Sequence, residues 1–225
     1  MPSFPDWTTI GLPEPDGVLT RGGHRIVFFD VEGLPRPDQL TLMGEHAPGW
    51  SLLCWGLWDD ETDIDDLDSR FLDDWGESLD ELATTTPLEA FAQFRLPATG
   101  IATDAKVTAL PARWEDDPEM FTHIIPGCLV AVDASSAQAV SVCEWQGVAN
   151  AGTPAELTRV LQRWHQAWGL HVLGFGAMEE ADLIACIPHP PEDLTRVVNT
   201  LRLGCDDVTL AADTAYGLLI HLWWD

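Results

Sequence analysis

Apolar positions along this chain recur at two residues in some stretches and at three to four in others, and the changes of period divide it into elements. His24-Arg-Ile-Val-Phe-Phe-Asp-Val31 is rich in β-branched and aromatic residues and predicts a strand that stops at Gly33, Pro35 and Pro37. Trp50 to Trp58 predicts a second strand, entered through Pro48-Gly49 and followed by an acidic stretch. Residues 1–23 carry Pro2, Pro5, Pro13, Pro15, Gly11, Gly17, Gly22 and Gly23 and read as an extended lead-in without regular structure.

Ile64, Leu67, Phe71, Trp75, Leu79 and Leu82 then recur at helical spacing, while twelve acids and one base, Arg70, lie between Asp59 and Glu81. The pattern predicts an amphipathic helix with its apolar stripe inward and Asp63, Asp66, Asp73, Asp74, Glu77 and Asp80 on a carboxylate face. A calcium loop starting at Asp59 is excluded, because Ile64 stands where glycine is required and Arg70 where a bidentate Glu is required. Thr86, Pro87 and Glu89 form a capping box that opens a short helix to Phe94. From Pro97 to Pro118 the period is weak, and a domain boundary is placed between residues 125 and 126.

The last hundred residues read more clearly. Gly127–Val132 is a strand, and Thr153-Pro-Ala-Glu156 opens a helix that carries Leu157, Val160, Leu161, Trp164 and Trp168 inward and stops at Gly169. Leu170–Phe175 and Ala181–Ile187 are strands joined by a turn; Glu192 to Leu203 is a helix ended by Gly204; Leu218–Trp224 is the last strand. The order strand, helix, strand, strand, helix, strand predicts an α+β protein with a ferredoxin-like two-layer sandwich in residues 126–225 and a mixed α/β region in residues 1–125.

Composition narrows the function classes. The chain has 225 residues, 46% hydrophobic, with eleven Trp, enough to build a core without disulfides. Its 37 acids against 11 Lys and Arg give a net charge of −26, which repels phosphate backbones and argues against nucleic acid and anionic lipid as partners. Acidity instead suits a basic protein partner, or simply a source organism whose proteins are acidic. Cys54, Cys128, Cys143, Cys186 and Cys205 are scattered, odd in number and free of any C-x-x-C pair, so buried thiols in a reducing compartment are expected. No secretory pattern opens the chain and no long apolar run follows, so a cytoplasmic location away from membranes is expected.

Cys143-Glu-Trp-Gln-Gly-Val-Ala-Asn150, Val160-Leu-Gln-Arg-Trp164, Ile187-Pro-His-Pro-Pro191, Cys205-Asp-Asp207 and the terminal Leu222-Trp-Trp-Asp225 resemble the bacterial domain of unknown function numbered 4253, over residues 126–225. The Trp-Trp-Asp end is the most specific of these. Where that family reads Phe-Cys-Pro-Asp after a polar pair, this chain has Leu203-Gly-Cys-Asp-Asp207 after Leu201-Arg202, so any site built on that pair is missing. The resemblance implies a bacterial, cytoplasmic protein and implies no activity.

Candidate chemistry concentrates at the C-terminal edge, where Cys205, Asp207, His221 and Asp225 converge if the last helix ends beside the last strand. Their spacing is not that of a compact zinc motif, so a structural Cys and a hydrogen-bonded His are expected rather than a metal site, and no cofactor is implied. Trp223 and Trp224 must point to opposite faces of their strand, one into the core and one available as a contact residue. Ser135-Ser136 lies in a turn-like stretch without a nucleophile elbow. Gly174-Phe-Gly176 is followed by Glu179 and Glu180, which would repel a phosphate. The expected function is that of a non-enzymatic acidic binding protein, of immunity or regulatory type. The alternatives are an enzyme with a site near Cys205 and His221, and acidity with no partner at all.

Overall fold

The computed structural model describes residues 4–56, 77–102, 113–124, 127–176, 181–192 and 194–225. In chain order they form β1 (Gly17–Arg21), β2 (His24–Glu32), α1 (Pro37–His46), β3 (Ser51–Trp55), α2 (Glu77–Thr84), α3 (Pro87–Gln93) and β4 (Arg113–Trp114). There follow β5 (Cys128–Val132), α4 (Ser136–Val142), α5 (Pro154–Trp168), β6 (His171–Phe175), β7 (Asp182–Ile187), α6 (Thr195–Gly204), β8 (Asp207–Asp213) and β9 (Gly217–Trp223). Two 3₁₀ turns, Trp7–Ile10 and Pro118–His123, complete the described elements.

The strands join in one mixed sheet of order β1-β2-β5-β3-β6-β7-β9-β8-β4. Alternation along the central strands sends two sets of side chains to its two faces. Phe28, Leu53, Trp55, Val130, Phe175, Leu183, Ile220 and Leu222 meet Val140, Trp145, Leu161, Trp164 and Leu201 in the larger core. Helices α2, α3 and α4 pack on α5 on that side. The opposite face is shorter of cover: Val27, Phe29, Leu52 and Leu129 meet Met43 of α1 and the Trp7–Ile10 turn, while Cys54, Leu173, Ile184 and Leu219 meet Phe121.

Capping explains the best-defined helices. Thr153 Oγ1 accepts from Glu156 N–H while the Glu156 carboxylate accepts from Thr153 N–H at 3.0 Å, Pro154 fills the first position, and Gly169 ends α5 at φ 68°. Thr86 and Glu89 repeat the box at α3.

Several features differ from the sequence reading. The 1–23 segment contains a strand and a 3₁₀ turn, and α1 follows Pro37, which opens the helix rather than preventing one. Helix α4 starts at Ser136, in the stretch read as a turn, and β8 lies between α6 and the last strand. The ferredoxin-like order is not reproduced: β5 lies between β2 and β3, and β3 separates it from β6, while β8 enters beside β9. Strands of this one sheet come from both sides, in sequence, of the boundary expected between residues 125 and 126. Residues 57 and 58 of the second predicted strand and residues 59–76 of the predicted acidic helix lie outside the described residues, taking Asp63, Asp66, Asp73 and Asp74 with them; Glu77 and Asp80 belong to α2, and Asp80 is exposed.

Candidate functional site

Strands β3 and β6 run parallel but pair only at Cys54 with Gly174 and Trp55 with Phe175. A Cβ on Gly174 would lie 2.8 Å from the Cys54 carbonyl oxygen, so this close approach depends on glycine. Upstream the two strands share no ladder. The Val172 amide donates instead to Ser136 Oγ at 3.3 Å, and the β6–β7 register shifts between Val172 and Gly174. Between the unpaired strand starts lies a cleft of about 750 Å³, walled by α1, the Gly49–Leu52 segment, the start of α4 and the last turns of α5. Its size falls among small-molecule sites, roughly 300–1,000 Å³.

The apolar walls come from Leu40, Met43, Leu52, Ala137 and Val172. Trp50 is fixed from behind: Arg25 lies 4.8 Å from its ring, Trp7 meets it edge-on at 5.2 Å, and Arg25 is itself bonded to Asp133 at 2.9 Å. The polar groups gather on the other side. His165 and His171 face each other edge-on with centroids 5.0 Å apart, bridging the Gly169 turn between α5 and β6. His165 Nδ1 lies 2.9 Å from the Leu170 carbonyl, which can only accept, so Nδ1 carries a proton and donates it there. His171 is exposed along one edge, but burial of the rest of its ring, and then His165, hold its pKa below the usual histidine value. Ser51 also lines the cleft, and its buried Oγ has no hydrogen-bond partner.

This inventory does not assemble a nucleophile. Ser135 Oγ accepts from Gln138 N–H as the N-cap of α4, Ser136 Oγ accepts from Val172, and neither is bonded to a histidine. Burial drives the thiol of Cys186, on the cleft wall, up to about 12, so it stays protonated and inert. The chemistry on offer is hydrogen bonding from imidazoles, hydroxyls and the amides of Gln162 and Gln166 beside an apolar wall.

The predicted terminal cluster is divided by the sheet. Cys205 is buried in the larger core, donates to the Leu201 carbonyl at 2.8 Å, and has its thiol pushed upward chiefly by burial. His221 points to the opposite face, where Nε2 donates to Asp182 Oδ1 at 2.6 Å. Asp207 pairs across from Trp223 on β9 and its carboxylate accepts from Val208 N–H, while Trp223 is 36% exposed. Trp224 is buried and donates to the Gly204 carbonyl at 2.8 Å. Cys205, Trp224 and Asp225 do share a second cleft; Asp207, His221 and Trp223 do not line it. Among the described residues, no group of three or more His, Cys, Asp or Glu is placed to hold a metal ion. No described helix is long and apolar enough to cross a membrane.

Sequence reasoning missed His165, His171, Ser51 and Trp50 as neighbours. The one signal was local: two histidines flanking a helix-ending glycine are forced together by the turn. The chain matches no protein-family model, no curated protein and no solved structure.

Proposed function

We propose that this chain is a small-molecule-binding protein that holds a mainly apolar ligand with a hydrogen-bonding head in the β3–β6 cleft. The observation that supports it is the splaying of two parallel strands at the centre of the sheet, which leaves a cleft with an apolar wall facing a cluster of polar groups. A neutral His171 and a net charge of −26 favour a neutral or cationic ligand over an anionic one. The absence of a bonded Ser–His pair among the described residues directs the reading to binding rather than turnover.

The test is ligand-observed NMR with a panel of neutral and cationic aromatic fragments, followed by amide shifts of the labelled protein. Hits that move Ser136, His171 and Val172 together support the reading; a panel that moves none of them ends it.

A second reading rests on charge alone: 37 acids against 11 bases suit docking to a basic protein. It is measured by the salt dependence of association with such a partner, and a rate indifferent to salt removes it. The resemblance of residues 126–225 to the domain of unknown function numbered 4253 carries no activity and adds none here.

A further inference from the structure

We infer that a second cleft, formed where α3 and α6 end beside the chain's last residues, binds a small zwitterion through its carboxylate and ammonium groups. This cleft has a volume of about 510 Å³ and is independent of the β3–β6 site. Its lining is polar. Arg95 and Arg202, two of only eleven Lys and Arg in the chain, stand in it together with Asn150, Asp206 and Asp225.

Two observations set these arginines apart. Arg202 Nη1 is buried and has no hydrogen-bond partner, and a guanidinium donor withdrawn from water without an acceptor is destabilising. Arg95 occupies the left-handed region at φ 56°. It is the residue after the C-cap Phe94 of α3, where Arg95 N–H donates to the Ala92 carbonyl and Leu96 N–H to the Phe91 carbonyl. That is the Schellman arrangement, in which glycine is the usual occupant because a Cβ is strained there. An arginine held in a glycine position, with its side chain lining a polar cleft, is accounted for by a role for the guanidinium.

The acids decide the ligand class. Asp206 and Asp225 line the same cleft, yet neither forms an ion pair with Arg95 or Arg202 among the described residues. Asp206 Oδ2 accepts from the Asp225 amide at 3.1 Å, which ties the two acids side by side. Unpaired guanidinium groups suit a carboxylate, since their fork matches its two oxygens. Two carboxylates in the same cleft repel a multiply charged phosphate and attract an ammonium. A molecule carrying both groups, the class of free α-amino acids, satisfies all four side chains at once.

The full-length protein, titrated with the common α-amino acids one at a time, reads this through the Trp224 indole N–H resonance, since Trp224 lines the cleft. Saturable movement by at least one amino acid is expected, with weaker responses to acetate, methylamine and inorganic phosphate. Arg202→Gln is expected to weaken that binding about tenfold or more. Arg95→Gly separates function from folding: it removes the strain at φ 56° and leaves the fold at least as stable, while the affinity falls. No movement with any amino acid, acetate or phosphate binding as tightly, or affinity unchanged in Arg95→Gly overturns the proposal.

Discussion

The Val172 amide donates to Ser136 Oγ across 3.3 Å, so the first hydroxyl of α4 stands where a neighbouring strand would otherwise satisfy β6. This bond links the local start of a helix to the opening of the sheet, because β3 is then free to leave β6 above Cys54 and Gly174. Ser136→Ala removes the acceptor and leaves the amide to find another. A loss of about 1 kcal/mol in denaturant unfolding is expected, with faster hydrogen exchange at Val172 than elsewhere in β6.

Gly174 closes the other end of the same junction. Gly174→Ala sets a Cβ 2.8 Å from the Cys54 carbonyl oxygen, a backbone atom that cannot swing aside. Overpacking of this kind costs about 1–3 kcal/mol. The midpoint of chemical unfolding measures it; a midpoint equal to that of the native chain would show that β3 and β6 are less closely held than described.

The terminal tryptophans separate by face. Trp224→Phe deletes the donor to the Gly204 carbonyl and part of a ring packed on Trp145, so a loss of about 1–3 kcal/mol is expected. Trp223→Ala, at a residue 36% exposed, is expected to be milder. Unfolding curves of the two variants rank them directly.

His171 gives the pH dependence a sign. Its folded pKa lies below the ordinary value of 6.5, through burial and then the adjacent His165. The unfolded chain therefore binds its proton first, and the stability contributed by neutral His171 is full above that ordinary value and is lost as pH falls through the folded pKa. Replacing His171 with Gln is expected to flatten the fall in stability as pH drops below the ordinary value of 6.5. Thermal midpoints of the two proteins across that range check it.

The thiols are predicted to be silent in the native state. Burial pushes Cys54, Cys143 and Cys186 up to about 12 and Cys128 up to about 11. At about pH 8 a disulfide reagent is expected to label the native chain slowly and all five cysteines once it is denatured.

What was legible in the sequence was local. Thr153 with Glu156, and Thr86 with Glu89, announced their helices because a capping box is written in four consecutive residues. The alternation of Trp223 and Trp224 announced that one ring is buried and the other is not, and the structure buries Trp224. Helix α1 stayed hidden because it buries only Gln39 and Met43, too few apolar positions to make a stripe after two prolines. Helix α4 stayed hidden for the opposite reason: Ala137, Ala139, Val140, Ser141 and Val142 are all buried, so no polar face marks the period. The sheet order was not legible, because β3 enters between β5 and β6 through contacts more than seventy residues distant in sequence. The β3–β6 cleft depends on that insertion and was invisible with it. A hydrogen-bonded His221 was expected, but its partner Asp182 lies 39 residues away and no spacing rule names it.

Gly44 offers the most direct measurement of the binding account. It lines the β3–β6 cleft from α1, and a Cβ placed there meets nothing within 4 Å. Gly44→Leu therefore fills the cleft while removing a helix-weakening glycine, worth up to about 1 kcal/mol of added stability. The dissociation constant of a fragment that moves Ser136 and Val172 is to be measured for both proteins. The account predicts a variant as stable as the native chain or more so, with binding weakened at least tenfold. A stable variant that binds the fragment as tightly as the native chain would contradict it.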